Sequence, residues 1–420
     1  MLQRYIGNKN ALIQELLAAV QPLAAPGDLV CDAFSGSVAV SVALKSAGYR
    51  VATNDINLLS WVFAIAYLKN SSLPALDMPA LLGGRTAKST KTGSQCNRIE
   101  DWSEIVEHLI AAPSSFESKI EWRQDFFDYY CEEGAKSSFL SSRGKAGRRR
   151  FFTAANAKAI DRALSRIRYW WRANIIDENV RCLLTARLLD GIEKRSNTQG
   201  TYHDFPRDFY DSRALRPLCI EVPETSLMQG RSDHIVGKAE DSLEFVRRVP
   251  DHAVLYLDPP YNFRQYTSYY FLPNIVARYP DIDSLDDYFA NVKFVRGQNM
   301  DDDFTSSFCK SAQFISSLER IIMRSRCRHV VMSYFDGKNH WGSFKAGPDG
   351  QGRKHLEEFF KSSIFVPGTM RCIPVERLNY QSYGGYQAKS VSEYIFIAEK
   401  ARKPHSSRKL IRPRVEESAI

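Results

Sequence analysis

Leu29-Val30-Cys31-Asp32-Ala33-Phe34-Ser35-Gly36-Ser37 decides the fold of this chain. Leu29 to Phe34 is an apolar, strand-forming run, and Ser35-Gly36-Ser37 is a turn of small residues. Val38 to Ser46 then has helical apolar spacing and is closed by Gly48; Tyr49 to Asp55 is a second strand ending in an acid. Strand, small turn, helix and acid-ended strand form a nucleotide-binding α/β half. Small residues let a ligand approach the backbone, and the helix start offers it free N–H groups. Asp55, about twenty residues beyond the turn, is placed to accept both hydroxyls of a ribose. A helix cap is the plainer alternative for Asp55.

On the amino-terminal side, Asn10 to Val20 predicts a helix ended by Pro22 and Pro26-Gly27. Before it, Arg4-Tyr5-Ile6-Gly7-Asn8-Lys9 sets an aromatic ring and a lysine around a glycine turn, which suits a cationic or carboxylate-bearing ligand. On the carboxyl side the rhythm changes after about residue 72. Residues 83–98 are rich in Gly, Ser, Thr, Lys and Arg, and Ser137 to Arg150 reads as a basic loop containing Arg148, Arg149 and Arg150. Ala154 to Lys194 has helical spacing. Sheet rhythm returns near residue 217, with strands expected at Val254–Asp258, His329–Tyr334 and Tyr394–Glu399 and a helix at Phe308–Arg324. The expected class is a doubly wound, Rossmann-like α/β fold. Its catalytic part would span 1–72 and 215–400, with a mainly helical insertion at 73–214 and a basic tail at 401–420.

The chemistry concentrates at Asp258-Pro259-Pro260-Tyr261, which follows the buried-strand run Ala253 to Leu257. In an open α/β sheet, ligands bind at the carboxyl ends of strands. The exocyclic amine of a nucleobase is a poor nucleophile because its lone pair is delocalised into the ring. Two acceptors aimed at its N–H groups draw the nitrogen toward a tetrahedral state. The Asp258 carboxylate supplies one acceptor. A proline carbonyl, Pro259 here, supplies the other, held rigid by the fixed φ of proline. Tyr261 can stack on a base that has left its helix. An Asp-Pro-Pro turn closing a core strand is the bland alternative. The next residues, Asn262 to Phe271, interleave aromatics with Arg264 and Gln265, and Arg264 and Tyr266 suit contacts to nucleic acid. The basic residues Arg148, Arg149 and Arg150 suit phosphates. Glu240-Asp241-Ser242 precedes the strand of Asp258, so Asp241 either borders a bound base or caps a helix.

Composition agrees with a polyanionic partner. The 420 residues carry a formal charge of +9, with 44% hydrophobic content, ample for a large core. The eight cysteines have no C-x-x-C spacing, so no metal site is expected and a reducing cytoplasm is. No signal peptide and no apolar run of membrane-spanning length is read, which argues against a membrane partner.

Taken in order, these motifs resemble the D12 class, the Dam-like or alpha group, of DNA N6-adenine methyltransferases. Arg4 to Lys9 resembles the family's aromatic-Gly-Lys motif, and Asp32-Ala33-Phe34-Ser35-Gly36 its D-x-F-x-G cofactor loop. Asp55 falls at its ribose acid, Asp241 at the acid before the catalytic strand, and Asp258 to Tyr261 at the catalytic motif. Ser196 to Tyr202 and Ser392 to Ile397 are also similar to family segments. The resemblance covers roughly 1–70 and 180–400. It implies S-adenosylmethionine as donor, held by Tyr5, Lys9, Asp32, Phe34, Gly36, Asp55 and Asp241. It also implies adenine in double-stranded DNA as acceptor, a monomer, and a bacterial or phage-encoded cytoplasmic protein working at the nucleoid, with a cognate restriction endonuclease acting separately. RNA or protein-glutamine methylation, and a catalytically silent DNA-binding relative, are the alternatives. The chain departs from the family at Val38, where many members have a second glycine. A branched residue does not take φ > 0 cheaply. Either the helix starts earlier or the methionine moiety sits differently.

Overall fold

The computed structural model describes residues 4–83, 95–335, 340–341, 350–378 and 390–401. The expectations for a polar segment at 83–98 and a tail from 401 fall largely outside these residues.

The strands are β1 (Leu29–Asp32), β2 (Arg50–Thr53), β3 (Ser138–Leu140), β4 (Ala146–Arg148), β5 (Ile235–Val236), β6 (His252–Leu257), β7 (Val292–Lys293), β8 (Gln298–Asn299), β9 (Cys327–Phe335), β10 (Arg371–Leu378) and β11 (Ser390–Glu399). Seven form one sheet in the order β10-β11-β9-β6-β1-β2-β5. Pairings from β5 through β9 are all parallel, whereas β11 runs against both its neighbours. The chain winds from β1 outward through β2 to β5, then crosses to β6 and winds outward the other way. The order therefore reverses between β1 and β6. A crevice opens at that reversal, outside the carboxyl ends of the two strands. Both deciding motifs of the sequence lie there, Asp32 to Gly36 after β1 and Asp258 to Tyr261 after β6.

Helices cover both faces. The helix Leu58–Leu68, which the sequence pattern had not singled out, is apolar on every side and almost entirely buried. It can be so because the helices Gln95–Ile110, Ala154–Arg172, Glu178–Arg195 and Phe271–Arg278 wrap its outer side in one continuous apolar cluster. The single helical run expected over Ala154–Lys194 is broken into two. Asn174 turns left-handed at φ +54°, and the Asp177 side chain caps the second helix at Val180 N. The basic stretch expected as a loop over Ser137–Arg150 forms the hairpin β3–β4. No helix among the described residues is long and apolar enough to cross a membrane.

Val38 corrects one expectation. The helix after the first turn begins later, at Ala39–Ser46, and Val38 itself adopts φ +67°. Its side chain is fully buried, and its amide donates to Ser35 O at 2.7 Å. Burial in the core and the tight turn hold a conformation that a branched residue avoids on its own.

Candidate active site

The loop after β1 is built around backbone approach. Gly36 has φ +48°, and a Cβ on it would lie 2.8 Å from the ring of Tyr5. Its amide donates to Asp55 Oδ2 at 2.9 Å, while Asp55 Oδ1 accepts the Asn57 amide at 2.9 Å. Burial raises the Asp55 carboxyl, against the pull of these donors. The Tyr5 ring stacks on Tyr270 at 4.3 Å, and Ile6 N donates to the Tyr270 hydroxyl at 2.7 Å. The amino-terminal segment is thereby tied over the loop, as its glycine turn allows.

Asp32 is fully buried at the end of β1. Its Oδ2 accepts from Ser41 Oγ at 2.6 Å, but its Oδ1 has no hydrogen-bond partner among the described residues. Burial pushes its carboxyl up to about 7, with the Ser41 hydrogen bond opposing and the nearby Asp258 adding to the rise. A buried acceptor without a donor marks where a ligand donor or cation belongs.

Asp258 ends β6. Its Oδ1 meets Lys9 Nζ at 3.0 Å and accepts from Ser333 Oγ at 3.1 Å. Ser333 in turn pairs with the Tyr256 hydroxyl at 2.9 Å. Lys9 Nζ also donates to Glu393 Oε1 at 2.5 Å. Two carboxylates thus share one buried ammonium. Burial works to lower Lys9, but the Asp258 and Glu393 charges win and hold it well above the usual lysine range. Asp258 is raised to about 6, chiefly by burial, with Lys9 pulling down and Glu393 pushing up. Its Oδ2 takes no hydrogen bond from the described residues and is left to the cleft. Tyr261 packs edge-on to Tyr334 at 5.9 Å.

One cleft of about 980 Å³, including its open side, is lined by Tyr5, Lys9, Asp32, Phe34, Gly36 and Asp55, and across from them by Asp241, Asp258, Pro259, Pro260, Tyr261 and Tyr266. The residues assigned from sequence to the donor and to the amine therefore face a common space. Asp241 does so while also capping the helix Ser242–Arg248 through Leu243 N at 2.7 Å. Lys9, assigned from sequence to the donor, has its ammonium engaged by Asp258 and Glu393 instead.

Arg149 is a correction. It is only 4% exposed, and its guanidinium donates to Val295 O at 3.0 Å, Phe294 O at 2.9 Å and Lys136 O at 3.1 Å. Its charge is spent inside the protein on backbone carbonyls, out of reach of a phosphate. Arg150 is turned inward by Glu132, with Nε donating at 2.8 Å. Arg148 stays exposed, although its Nε donates to Ser137 Oγ at 3.0 Å. Arg264 lies beside the cleft, 5.9 Å over the Tyr269 ring.

Glu393, Ser333, Phe304 and Phe308 were not read as site residues from sequence. Phe304 and Phe308 line the cleft, and Phe308 meets Phe34 edge to face at 5.0 Å. A lone acid heading the apolar run Tyr394 to Ala398 was a usable signal for Glu393, since an unpaired acid is not buried.

The sequence profile of the D12 class N6 adenine-specific DNA methyltransferases matches residues 5–321. The chain belongs to this class. Type II methyltransferase M.NlaIII of Neisseria lactamica is 26% identical over 399 residues, covering 94% of this chain and 99% of that protein. Modification methylase StsI of Streptococcus sanguinis is 25% identical over 411 residues, covering 97% of this chain. Type II methyltransferase M.FokI of Planomicrobium okeanokoites is 24% identical over 405 residues. The chain spans 53% of the length of StsI and 52% of that of M.FokI. As an adenine-specific methyltransferase, the chain must bring a methyl donor and an exocyclic amine to one place, and the cleft between β1 and β6 has groups suited to each.

Proposed function

We propose that this enzyme transfers the methyl group of S-adenosylmethionine to N6 of an adenine flipped out of double-stranded DNA, as the modification partner of a separately acting restriction endonuclease. The carrying observation is the Asp258 carboxylate. One oxygen is held by Lys9 and Ser333, and the other is open to a cleft that also contains the unpartnered Asp32 Oδ1. Bound there, the donor supplies a methyl group activated by its sulfonium. The close backbone of Gly36, the ring of Tyr5 and the acceptors of Asp55 and Asp32 fit a nucleoside bearing a cationic tail.

Asp258 Oδ2 and the Pro259 carbonyl accept the two N–H groups of the amine and orient its lone pair. Tyr261 stacks on the base. As nitrogen gains the methyl it gains positive charge, which the adjacent Asp258 carboxylate stabilises in a site already shielded from water. With its pKa raised to about 6, Asp258 can then take the departing proton and release it to solvent. No covalent enzyme intermediate is needed. Positioning supplies much of the rest.

We place target recognition in residues 73–214, with Arg148, Arg264 and Tyr266 on the DNA side. The relatives, named as type II methyltransferases and modification methylases, support the restriction-modification role. We further place a monomeric enzyme in the cytoplasm of a bacterium or an infected host, at the nucleoid. The test is transfer of labelled methyl to unmethylated genomic DNA, followed by nucleoside analysis. The expected product is N6-methyladenine. Label in RNA or protein, with none in DNA, overturns the proposal.

A further inference from the structure

Phe294 is a large apolar side chain left 59% exposed, on a backbone at φ +61°. It opens the four-residue turn Phe294-Val295-Arg296-Gly297 that joins β7 to β8. A bulky L-residue enters this region only against steric cost, and a ring left mostly exposed recovers little from burial in exchange. The turn is nevertheless held firmly from beneath. Arg149 donates to Phe294 O at 2.9 Å and to Val295 O at 3.0 Å, and the buried Tyr130 hydroxyl donates to Gly297 O at 2.8 Å. Gly297, at φ +75°, admits this clamp, since a Cβ there would lie 2.7 Å from Arg149 Nε. Strain that the surroundings enforce without burying the side chain points to a functional element.

The turn also stands next to the cleft. Gln298 Oε1 accepts from Ser268 Oγ at 3.3 Å and from Arg296 Nε at 2.7 Å. Ser268 belongs to the helix Tyr266–Tyr269, whose Tyr266 and Thr267 line the cleft. On the same helix, Tyr269 lies 4.9 Å from the His203 ring and under the Arg264 guanidinium. The hairpin that carries Phe294 is thus tied through Gln298 and Ser268 to a helix lining the cleft, with exposed Lys293 before the ring and Arg296 two residues after it. Basic side chains around an apolar projection match a base stack flanked by phosphates.

We propose that Phe294 is a wedge that enters the stack of duplex DNA and holds open the gap left by the target adenine. This rests on the adenine-methyltransferase reading and adds to it how the base is kept out. The experiment uses two duplexes carrying the recognition site, found by sequencing DNA that the enzyme has methylated. One is fully paired. The other has an abasic site opposite the target adenine, so that the base is already unpaired. Phe294→Gly removes the ring and relieves the backbone, and Phe294→Trp restores a ring. We expect Phe294→Gly to slow single-turnover methylation of the paired duplex by roughly tenfold or more, with little loss on the abasic duplex. Phe294→Trp recovers the paired rate, and the thermal midpoint of the glycine variant is unchanged or higher. Wild-type rates for Phe294→Gly on paired DNA overturn the wedge. An equal loss on both duplexes also overturns it and assigns the turn to shaping the cleft. A wild-type enzyme inactive on both overturns the methyltransferase reading instead.

Discussion

The cleft and the helical layer around Leu58–Leu68 both bury charge, but they do so in opposite ways. In the helical layer the Arg166–Glu117 pair is saturated. Arg166, fully buried, gives Glu117 two hydrogen bonds at 2.6 and 2.9 Å and donates to Leu109 O and Ala111 O at 2.9 Å each. Arg149 is spent on carbonyls in the same manner. In the cleft the Asp32 carboxyl is left short: its Oδ1 has no partner among the described residues, while its Oδ2 takes the Ser41 hydroxyl. Saturated buried charge ties elements together, whereas a buried acceptor kept waiting is a place for a ligand. In a basic chain the count of arginines says nothing about which kind each one is.

The contrast breaks most visibly at Arg166. Arg166→Ala strands Glu117 in the interior and is expected to destabilise the fold by about 3–5 kcal/mol. Thermal unfolding near the wild-type midpoint would mean that the helical layer is not held by saturated charge. Asp258→Asn is expected to keep the fold and donor binding while lowering methyl transfer on the order of a hundred- to a thousandfold. Near-normal turnover in a single-turnover assay would remove the role given to the carboxylate.

Glu393→Gln sharpens the comparison inside the cleft. Asp258 must be ionised to accept the amine, so the wild-type rate should rise as pH climbs through about 6. Removing the Glu393 charge removes one cause of that elevated value, so the acidic limb of the pH–rate profile should move to lower pH, with only a modest change at neutrality. A limb that stays put, or moves up, breaks the link between the two carboxylates. The smallest effect is expected at Arg148. Arg148→Gln should reduce the slope of log binding constant against log salt by about 1, whereas Arg149→Gln should act on stability and leave that slope alone. Equal changes in slope would return Arg149 to the DNA surface.

The doubly wound class and both lips of the cleft were legible in the sequence, whereas the short strand Ile235–Val236 and the edge strand Arg371–Leu378 were not. Asp32 to Gly36 and Asp258 to Tyr261 follow apolar runs whose length and flanking turns read locally, and parallel sheets gather ligands where such ends meet. The hairpin over Ser137–Arg150 was less legible, because its strands are three residues each, too short to show an alternating pattern within a basic stretch. The helix Leu58–Leu68 was hidden by being buried all round, which erases amphipathic spacing. Folding alone turns Val38 left-handed, faces Arg149 inward, and brings Lys9 and Glu393, 384 residues apart, together so that the Lys9 ammonium sits between the Asp258 and Glu393 carboxylates. Charge and turn propensity are properties of one residue and its neighbours. Whether a charge is satisfied, and whether strain is supported, depends on groups that only folding brings within reach.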